Sequence, residues 1–412
     1  MPQVRLYKHY FPVILWSKIL GISPISYKGS RITYSKIGTV QTITYFVIFI
    51  ILTIAFFEER SSLTTPIELI DIRTIRFVAT FRTVANITLM AVLFLGTYMR
   101  REKFLTSLKQ IQNLEPEFHK LNQIGTITRN NRQTRRMVVL LIVLSMSFNF
   151  FGDFLTFFMK EKLDLLWREF CTFVVIVYPR LVVNNINLGF LTLLMILEGR
   201  FKVINDVLKS LINDSRKMNK FPVELNFCDK IKHLVNLHKS LVKVAKDHNS
   251  LYSLHLLLWI TVTFILLVGD SYIVMYILFF HLSDVRYILI LYLVKNVVMY
   301  GIELFVLAKI VTNLCQEANN TKKLIVKIKI DIDKENERNE LISSALKLSQ
   351  SDLEITACKF FSIDNALLFS ICGASSSYLF IMIQLDLGNK KNENGTILMD
   401  FNNLTFNQSG FF

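Results

Sequence analysis

Seven apolar stretches, each long enough to cross a lipid bilayer, constrain the fold of this chain more than any other feature. A helix needs about 20 apolar residues to span the hydrocarbon core. Stretches of that length lie at 37–57, 77–99, 137–159, 171–197, 252–280, 286–312 and 361–385. The 412 residues include only 14 glycines and 7 prolines, which argues against a β-barrel or a disordered chain. The sequence therefore predicts an all-α membrane protein with seven transmembrane helices.

The shorter apolar run 11–23 is not counted among the spans, because Lys18 interrupts it. It also lacks a small-residue cleavage site, so a cleaved signal peptide is not expected. The span 37–57 is predicted to act as the uncleaved insertion signal.

Basic residues are distributed very unevenly between the segments that join these spans. The chain carries 47 Lys and Arg against 32 Asp and Glu. Of the 47, 34 lie in segments that would share one side of the membrane, and only 8 lie in segments on the other side. Because cytoplasmic segments carry the excess of Lys and Arg, the N-terminus is predicted to be cytoplasmic. With seven spans, the C-terminus is then extracellular.

Three acceptor sites for N-glycosylation agree with this orientation. Asn394, Asn403 and Asn407 each begin an N-x-S/T triplet near the C-terminus. Such sites are modified only on the lumenal side, which becomes the cell exterior. Asn213 and Asn319 begin similar triplets in segments predicted to be cytoplasmic. An unmodified, Asn-rich tail is the alternative interpretation.

No catalytic or metal-binding pattern is visible, so neither an enzyme nor a cofactor nor a metal site is expected. The five cysteines form no C-x-x-C pair. His233, His238 and His248 lie in the helical pattern 229–256, with no Cys, Asp or Glu at ligand spacing. They are interpreted as part of a solvated helix face. A composition that is both very apolar and very basic indicates membrane helices joined by basic loops rather than a nucleic-acid binder, so the lipid bilayer is the expected partner.

Ionisable residues inside the spans concentrate in the outer halves of the helices. Because charges in a membrane are costly, they usually face a cavity or pair with each other. Together with aromatic neighbours, they predict a polar ligand pocket open to the extracellular side. Its candidate residues are Arg82, Asp153, Tyr178, Arg180, Asp270, Tyr272, Tyr276 and Lys295. Arg82 with Asp270, or Lys295 with Asp153, could equally form structural ion pairs. Asn184, Asn185 and Asn187 lie deeper and are expected to join helices.

The last apolar stretch carries the most specific pattern in the chain. It reads Ser377-Tyr378, then five apolar residues, then Gln384-Leu385. This pattern resembles the signature of the insect gustatory receptor family, which is related to the insect odorant receptors. In that family the last helix carries Thr-Tyr, five apolar residues and Gln-Phe. The spacing, the Tyr and the Gln are kept, Ser377 retains a hydroxyl, and Leu385 replaces the Phe. Phe360 to Asp364 and Gly373 also resemble the family's lead into this helix.

The resemblance implies a ligand-gated, non-selective cation channel in the plasma membrane of a sensory neuron dendrite. It implies a homo- or heterotetramer, formed with other gustatory receptors in the second case, in which the last helix of each subunit lines one central pore. The ligand would be a small-molecule tastant, either a bitter compound or a sugar. Leu379 stands where the family's sugar receptors tend to carry an acidic residue, which points away from the main sugar group.

Helical periodicity selects the residues of the last span that would share a face. Side chains three, four and seven positions apart lie on one side of a helix. The pore and gate candidates are therefore Ser377, Phe380, Ile381, Gln384 and Leu385. Tyr378 is expected to make a packing contact. An interhelical hydrogen bond is the alternative role for Gln384.

The chain is accordingly divided into five parts. The predicted segments are a cytoplasmic N-terminus (1–36), a six-helix ligand-sensing bundle (37–312) with long helical cytoplasmic loops (100–136 and 198–251), a cytoplasmic connection and anchor helix (313–360), a pore helix (361–385) and an extracellular tail (386–412). Within the anchor segment, 341–357 is predicted to be an amphipathic helix.

Two other membrane functions stay open as alternatives. Buried charges also suit a secondary transporter, although neither an inverted repeat nor paired Gly- or Pro-broken helices are visible in the two halves. A G-protein-coupled receptor would place its N-terminus outside. This chain also lacks Asp-Arg-Tyr after the third span and Asn-Pro-x-x-Tyr in the seventh.

Overall fold

The computed structural model describes most of the chain between its two ends. The described residues are 7–22, 25–28, 31–60, 73–121, 124–158, 175, 177–217, 226–279, 286–327, 339, 342, 343, 346, 348 and 352–394. Everything that follows concerns these residues.

The described residues form nine helices and two small hairpins. The helices are α1 (Tyr7–Ile19), α2 (Lys36–Arg60), α3 (Arg73–Met99), α4 (Arg101–Lys120), α5 (Ile124–Phe158), α6 (Tyr178–Lys217), α7 (Asn226–Phe279), α8 (Arg286–Val326) and α9 (Asn365–Asn394). Strands β1 (Ile25–Lys28) and β2 (Arg31–Tyr34) form one antiparallel hairpin, with Ile25 opposite Tyr34. Strands β3 (Thr356–Ala357) and β4 (Phe361–Ser362) form the other. The predicted class, an almost wholly helical membrane protein, is confirmed.

Six of the described helices are long and apolar enough to cross a membrane: α2 and α5 to α9. The seventh predicted span corresponds to α3, where the apolar stretch is shorter, Thr80–Gly96. Arg73 and Arg76 precede this stretch on the same helix, and Arg82 lies within it. All seven predicted spans therefore fall on helices.

The helix α6 forms the centre of the bundle. Within its apolar segment 83% of the residues are buried inside the protein, against 6% for α9. Helices α5, α7 and α8 pack around α6, and most of its side chains belong to the main apolar core. Asn184, Asn185 and Asn187 in its span bond side chains of neighbouring helices, and polar groups at membrane depth need such protein partners, which favours the central position of α6.

Three helices extend far beyond the bilayer. The helix α7 has 54 residues, which at about 1.5 Å per residue is about 80 Å, well over twice the hydrocarbon thickness. As the apolar spacing of 229–256 predicts, its first half continues as a helix directly into the span. Helices α6 and α8 extend in the same way to Lys217 and Val326.

A buried ion pair ties these extensions to α4. The Arg200 guanidinium on α6 donates to the Glu115 carboxylate at 2.7 and 3.0 Å, and Asn131 on α5 accepts a third bond at 3.2 Å. Both charged side chains are buried. Because each charge needs the other inside the protein, the pair fixes how α4, α5 and α6 pack together.

The helix predicted over 341–357 is wrong in its last part. Residues 352–355 have no regular structure, and 356–357 form β3. Leu353, Ile355 and Ala357 are buried while their neighbours are more exposed, an alternation of period two that is typical of strands rather than helices.

The pore helix also begins later than predicted, at Asn365. The Asp364 carboxylate accepts the backbone N–H of Leu367 at 3.0 Å, which caps that helix start.

Candidate functional site

The first predicted pair of intramembrane charges is formed. The Arg82 guanidinium on α3 makes a salt bridge with the Asp270 carboxylate on α7, and Asp270 is completely buried. One nitrogen of Arg82 (Nε) and one oxygen of Asp270 (Oδ2) have no hydrogen-bond partner among the described protein atoms. The pair is therefore neutral as a whole but keeps one donor and one acceptor for a further partner.

Arg180 lies next to this pair and is held by neutral groups. Its Nη1 donates to the side-chain oxygen of Asn296 on α8 at 3.0 Å. Its guanidinium carbon lies 5.1 Å from the centre of the Tyr300 ring, within cation–π range. Arg180 Nη2 and Asn296 Nδ2 are buried without a hydrogen-bond partner among the described atoms.

Lys295 is the third cation of the group. It is buried, and its ammonium lies 4.9 Å from the centre of the Tyr292 ring. Arg82, Arg180 and Lys295 are all close enough to interact electrostatically with Asp270. Glu303 on α8 interacts with Arg180 and Lys295. We call these three cations and two carboxylates the charged cluster. Among the described side chains it has one positive charge in excess.

Below the charged cluster lies a small cavity between α5, α6 and α8. Its volume is about 120 Å³, and Glu303 lines it together with Ser145, Asn184 and the rings of Trp16 and Trp259. Asn184 donates to Ser145 at 3.1 Å, Asn185 to Ser17 at 2.8 Å, and Asn187 pairs with His255 at 2.7 Å. These asparagines join helices, as the sequence predicts.

Aromatic residues connect the charged cluster to the last helix. The rings of Tyr272 and Tyr276, 6.1 Å apart, follow Asp270 on α7 and belong to a second apolar core. Leu379, Met382 and Ile383 of α9 pack against that core. The segment of α7 that follows Asp270 and the packed side of α9 therefore belong to one continuous apolar cluster.

The remaining pocket candidates lie elsewhere or outside the described part. The Tyr178 hydroxyl donates to the backbone oxygen of Leu20 at 2.8 Å, so it joins α6 to the segment after α1. Asp153 lies on α5, but its side chain is outside the described residues. The same is true of the Asn394 side chain at the end of α9, and Asn403 and Asn407 lie beyond the described residues.

The face of α9 opposite its packed side is uncovered in the single chain. It contains all the pore and gate candidates, which are exposed: Ser377, Phe380, Ile381, Gln384 and Leu385. The exposed strip continues through Ser370, Gly373 and Ser376. The hydroxyls of Ser370, Ser376 and Ser377 donate to backbone oxygens one turn earlier in the helix. Tyr378 is half exposed and meets the Phe264 ring edge-on at 6.1 Å.

The histidines on α7 do not form the solvated face that the sequence predicts. His238 and His248 are completely buried and bond backbone oxygens of Ala318 and Phe190 at 3.0 and 3.4 Å. Burial lowers the pKa of His238 to about 4, so its imidazole is neutral at physiological pH. His233 is partly exposed, 3.6 Å from Glu117. Among the described residues, no group of His, Cys, Asp and Glu could hold a metal ion.

The sequence signals for these burials were weak. His238 and His248 lie among basic residues, which suggests exposure to solvent. Only the packing of α8 and α6 against α7 shows that both histidines lie on a buried face. The helix α1 was also missed as part of the bundle. Its Tyr10 donates to the backbone oxygen of Gly189 at 2.9 Å, so this 13-residue helix packs against α6.

Comparison with known proteins identifies a family. The sequence profile of a family described as 7tm Chemosensory receptor matches residues 10–389. The fold is similar to that of the insect olfactory receptor OR5 from Machilis hrabei, with a TM-score of 0.69, 12% identity, and coverage of 93% of this chain and 100% of that one. The same receptor in complex with eugenol gives a TM-score of 0.63, 12% identity and the same coverage. No curated protein matches the chain.

Proposed function

This chain belongs to the 7tm chemosensory receptor family, and we propose that it is a gustatory receptor: a ligand-gated, non-selective cation channel opened by a small-molecule tastant. The resemblance of the last span to insect gustatory receptors is confirmed at the level of this family. The gustatory role, the gating by a tastant and the dendritic plasma membrane are our proposal.

The observation that carries the proposal is the uncovered face of α9. Only 6% of the membrane segment of this apolar helix is buried within the single chain. The rest of its surface is free to pack against partner subunits. Four copies around one axis would enclose a tube with rings of Ser377 hydroxyls and Gln384 amides between apolar rings. An apolar constriction can gate by dewetting, and a ring of neutral amides discriminates little between cations. Gln384 and Leu385, near the extracellular end, are the proposed gate.

The charged cluster is the proposed ligand site. Its members other than Glu303 lie in the outer half of the bundle in the predicted orientation. Its unpartnered donors on Arg82, Arg180 and Asn296 and its unpartnered acceptors on Asp270 and Glu303 suit a small molecule with both hydroxyl or amine donors and oxygen acceptors. Such groups need partners because burial without a hydrogen bond is unfavourable. Both a polar bitter compound and a sugar satisfy this requirement. The eugenol complex of OR5 supports binding of a small molecule by this fold.

Coupling follows the contacts between α7 and α9. A ligand that binds better when α7 is displaced outward shifts the population towards that state. Through Tyr272 and Tyr276, the displacement would move the packed side of α9 and with it the Gln384 ring. A ligand with equal affinity for both states would leave the channel closed.

Cysteine accessibility on α9 tests the pore. Cys372 is exposed on the same helix, so the background variant is Cys372→Ser. We expect Gln384→Cys in this background to give whole-cell cation currents, evoked by fructose or quinine, that a thiol-reactive sulfonate reagent blocks. Met382→Cys, on the side of α9 that packs against α7, is the matched control and should stay insensitive. Equal block at both positions, or no block at Gln384→Cys in conducting channels, would contradict the pore assignment.

A further inference from the structure

A second, larger cavity opens at the opposite end of the bundle from the charged cluster. Its volume is about 530 Å³, and α1, α3, α4, α6 and α7 contribute its walls. Gly96 lies near the end of α3, and Leu251 immediately precedes the predicted span 252–280. In the predicted orientation, both positions are at the level of the inner leaflet. The cavity is therefore far from the proposed ligand site and is not explained by it.

The interior of this cavity is mainly apolar, and most of its polar groups are already engaged; the Asn185 side-chain oxygen is the exception among the described lining residues. The Tyr10 hydroxyl donates to the Gly189 backbone oxygen at 2.9 Å. The His255 ring bonds Asn187 at 2.7 Å, and Asn185 bonds Ser17 at 2.8 Å. The remaining wall consists mainly of aliphatic and aromatic side chains from α1 and α3. Such a wall favours a hydrocarbon chain over a polar molecule.

Two cations stand where the cavity meets the cytoplasmic boundary. Arg100 and Lys103 both line it. Arg100 donates from Nη1 to the backbone oxygen of Leu251, which holds its guanidinium at the rim. Within the described part of the chain, neither side chain forms a salt bridge with a carboxylate. Glu102 lies between them in sequence but does not line the cavity.

The opening faces the bilayer. Leu95, Met99 and Leu254 line the cavity, and their side chains are 59%, 79% and 41% exposed. Large exposed apolar residues at membrane depth contact lipid chains. A molecule already in the inner leaflet can therefore enter sideways, with its polar headgroup at the level of Arg100 and Lys103.

We propose that this cavity binds an anionic phospholipid of the inner leaflet. One acyl chain lies between α1, α3 and α7, and the headgroup phosphate is held by Arg100 and Lys103. Basic pockets between helices on the cytoplasmic side suit such headgroups, and the net charge of +15 favours anionic lipid in general. The bound lipid would fix α1 against α3 and α7.

Lipid retention by the full-length protein tests this proposal without any measurement of current. The protein is reconstituted with equal phosphatidylserine and phosphatidylcholine, re-extracted in mild detergent, and its bound lipids are quantified by mass spectrometry. We expect phosphatidylserine to be enriched, and Lys103→Gln to lower the enrichment about fivefold, the factor for one cation beside an anionic headgroup.

A filling variant separates the cavity from general attraction to anionic lipid. A Cβ at Gly96 meets nothing within 4 Å, so Gly96→Phe should fold and project its ring into the open space. We expect it to lose the retained phosphatidylserine. Gly301→Phe is the matched control, because Gly301 on α8 also has nothing within 4 Å and does not line the cavity.

Three outcomes would overturn the proposal. The first is equal retention of phosphatidylserine and phosphatidylcholine. The second is retention by Gly96→Phe equal to that of Gly301→Phe. The third is stabilisation by inorganic phosphate, in lipid-free detergent, as large as that by phosphatidylserine, which would indicate a site for a free anion. A channel that fails to conduct affects none of these results.

Discussion

At the scale of single residues, the buried charges differ in what they are paired with. Asp270 faces a cation directly, whereas Arg180 bonds the neutral Asn296 and lies over Tyr300. Removing one member of a buried ion pair leaves an uncompensated charge, while removing a charge held by neutral groups does not. Substitutions at the two positions should therefore fail in different ways.

We predict that Asp270→Asn lowers the free energy of unfolding by about 3–5 kcal/mol, because Arg82 is left buried and unpaired. The double variant Arg82→Gln, Asp270→Asn should recover most of this loss. Thermal unfolding of the detergent-solubilised protein measures both. If the double variant is as unstable as the single one, the pair does not have the stabilising role assigned to it.

Arg180→Gln should leave the protein folded and shift the ligand concentration for half-maximal current, with the maximal current unchanged. The reason is that its hydrogen-bond partner Asn296 is neutral, that Glu303 keeps its interaction with Lys295, and that its Nη2 is available to a ligand. Dose–response curves on cells with matched surface expression test this. A fall in surface expression as large as that of Asp270→Asn would instead indicate a structural role for Arg180.

His238 makes the stability of the protein depend on pH. It lies outside the predicted span 252–280, and burial lowers its pKa from an ordinary 6.5 to about 4 in the folded chain. Above pH 6.5 the ring is neutral in both states and has no effect. As the pH falls from 6.5 towards 4, the unfolded chain takes up the proton and the folded chain does not, so stability falls by up to about 1.4 kcal/mol per pH unit.

We predict that His238→Gln flattens this part of the pH profile. The Gln amide can still donate to the Ala318 oxygen but does not titrate in this range. Melting temperatures of both proteins between pH 7.5 and 4.5 give the comparison. Parallel profiles would show that His238 takes up its proton in the folded chain as easily as in the unfolded one.

At the scale of elements, the β3–β4 hairpin is the part that sequence reasoning assigned wrongly. Apolar and polar residues alternate over 352–357 in the sequence. This alternation is too short to be distinguished, from sequence alone, from one side of an amphipathic helix. The turn itself gives no sequence signal. Cys358 and Lys359 have φ values of 51° and 63°, and neither is a residue that commonly favours the left-handed region.

This turn offers a prediction of its own. Lys359 is exposed, so its conformation rather than its contacts should decide the effect of a substitution. We expect Lys359→Val to lower the free energy of unfolding by about 1–2 kcal/mol, since a β-branched residue is strained at positive φ. Lys359→Gly should be neutral or slightly stabilising. Equal melting temperatures for the two variants would show that the strain is absent in solution.

At the scale of the whole molecule, the orientation in the membrane decides whether the proposed ligand site faces the cell exterior and the proposed lipid cavity faces the inner leaflet. The predicted tail sites Asn394, Asn403 and Asn407 make that orientation measurable. We expect an amide-cleaving glycosidase to reduce the apparent mass of the protein expressed in animal cells. The triple Asn→Gln variant at these positions should already have the reduced mass. Glycans found at Asn213 or Asn319 instead would show that the orientation is opposite to the predicted one.

Some properties of this protein follow from its sequence alone, because they depend on local composition. The lengths of the apolar stretches determine that helices cross the membrane, and the excess of Lys and Arg between them predicts which ends are cytoplasmic. The Ser377-Tyr378 and Gln384-Leu385 pattern was sufficient to indicate the family. Each of these signals lies within a single segment of the chain.

Only the tertiary structure decided which of these segments meet. The sequence alone did not determine which charged residues form pairs, whether Arg82 with Asp270 or Lys295 with Asp153. Arg82 and Asp270 are 188 positions apart in the chain, and helix packing brings them together. The burial of His238, the docking of α1 on α6 and the uncovered face of α9 were decided in the same way. Periodicity places residues on a common face, but only the packed helices determine whether that face is buried, lined by a cavity or left free for another subunit.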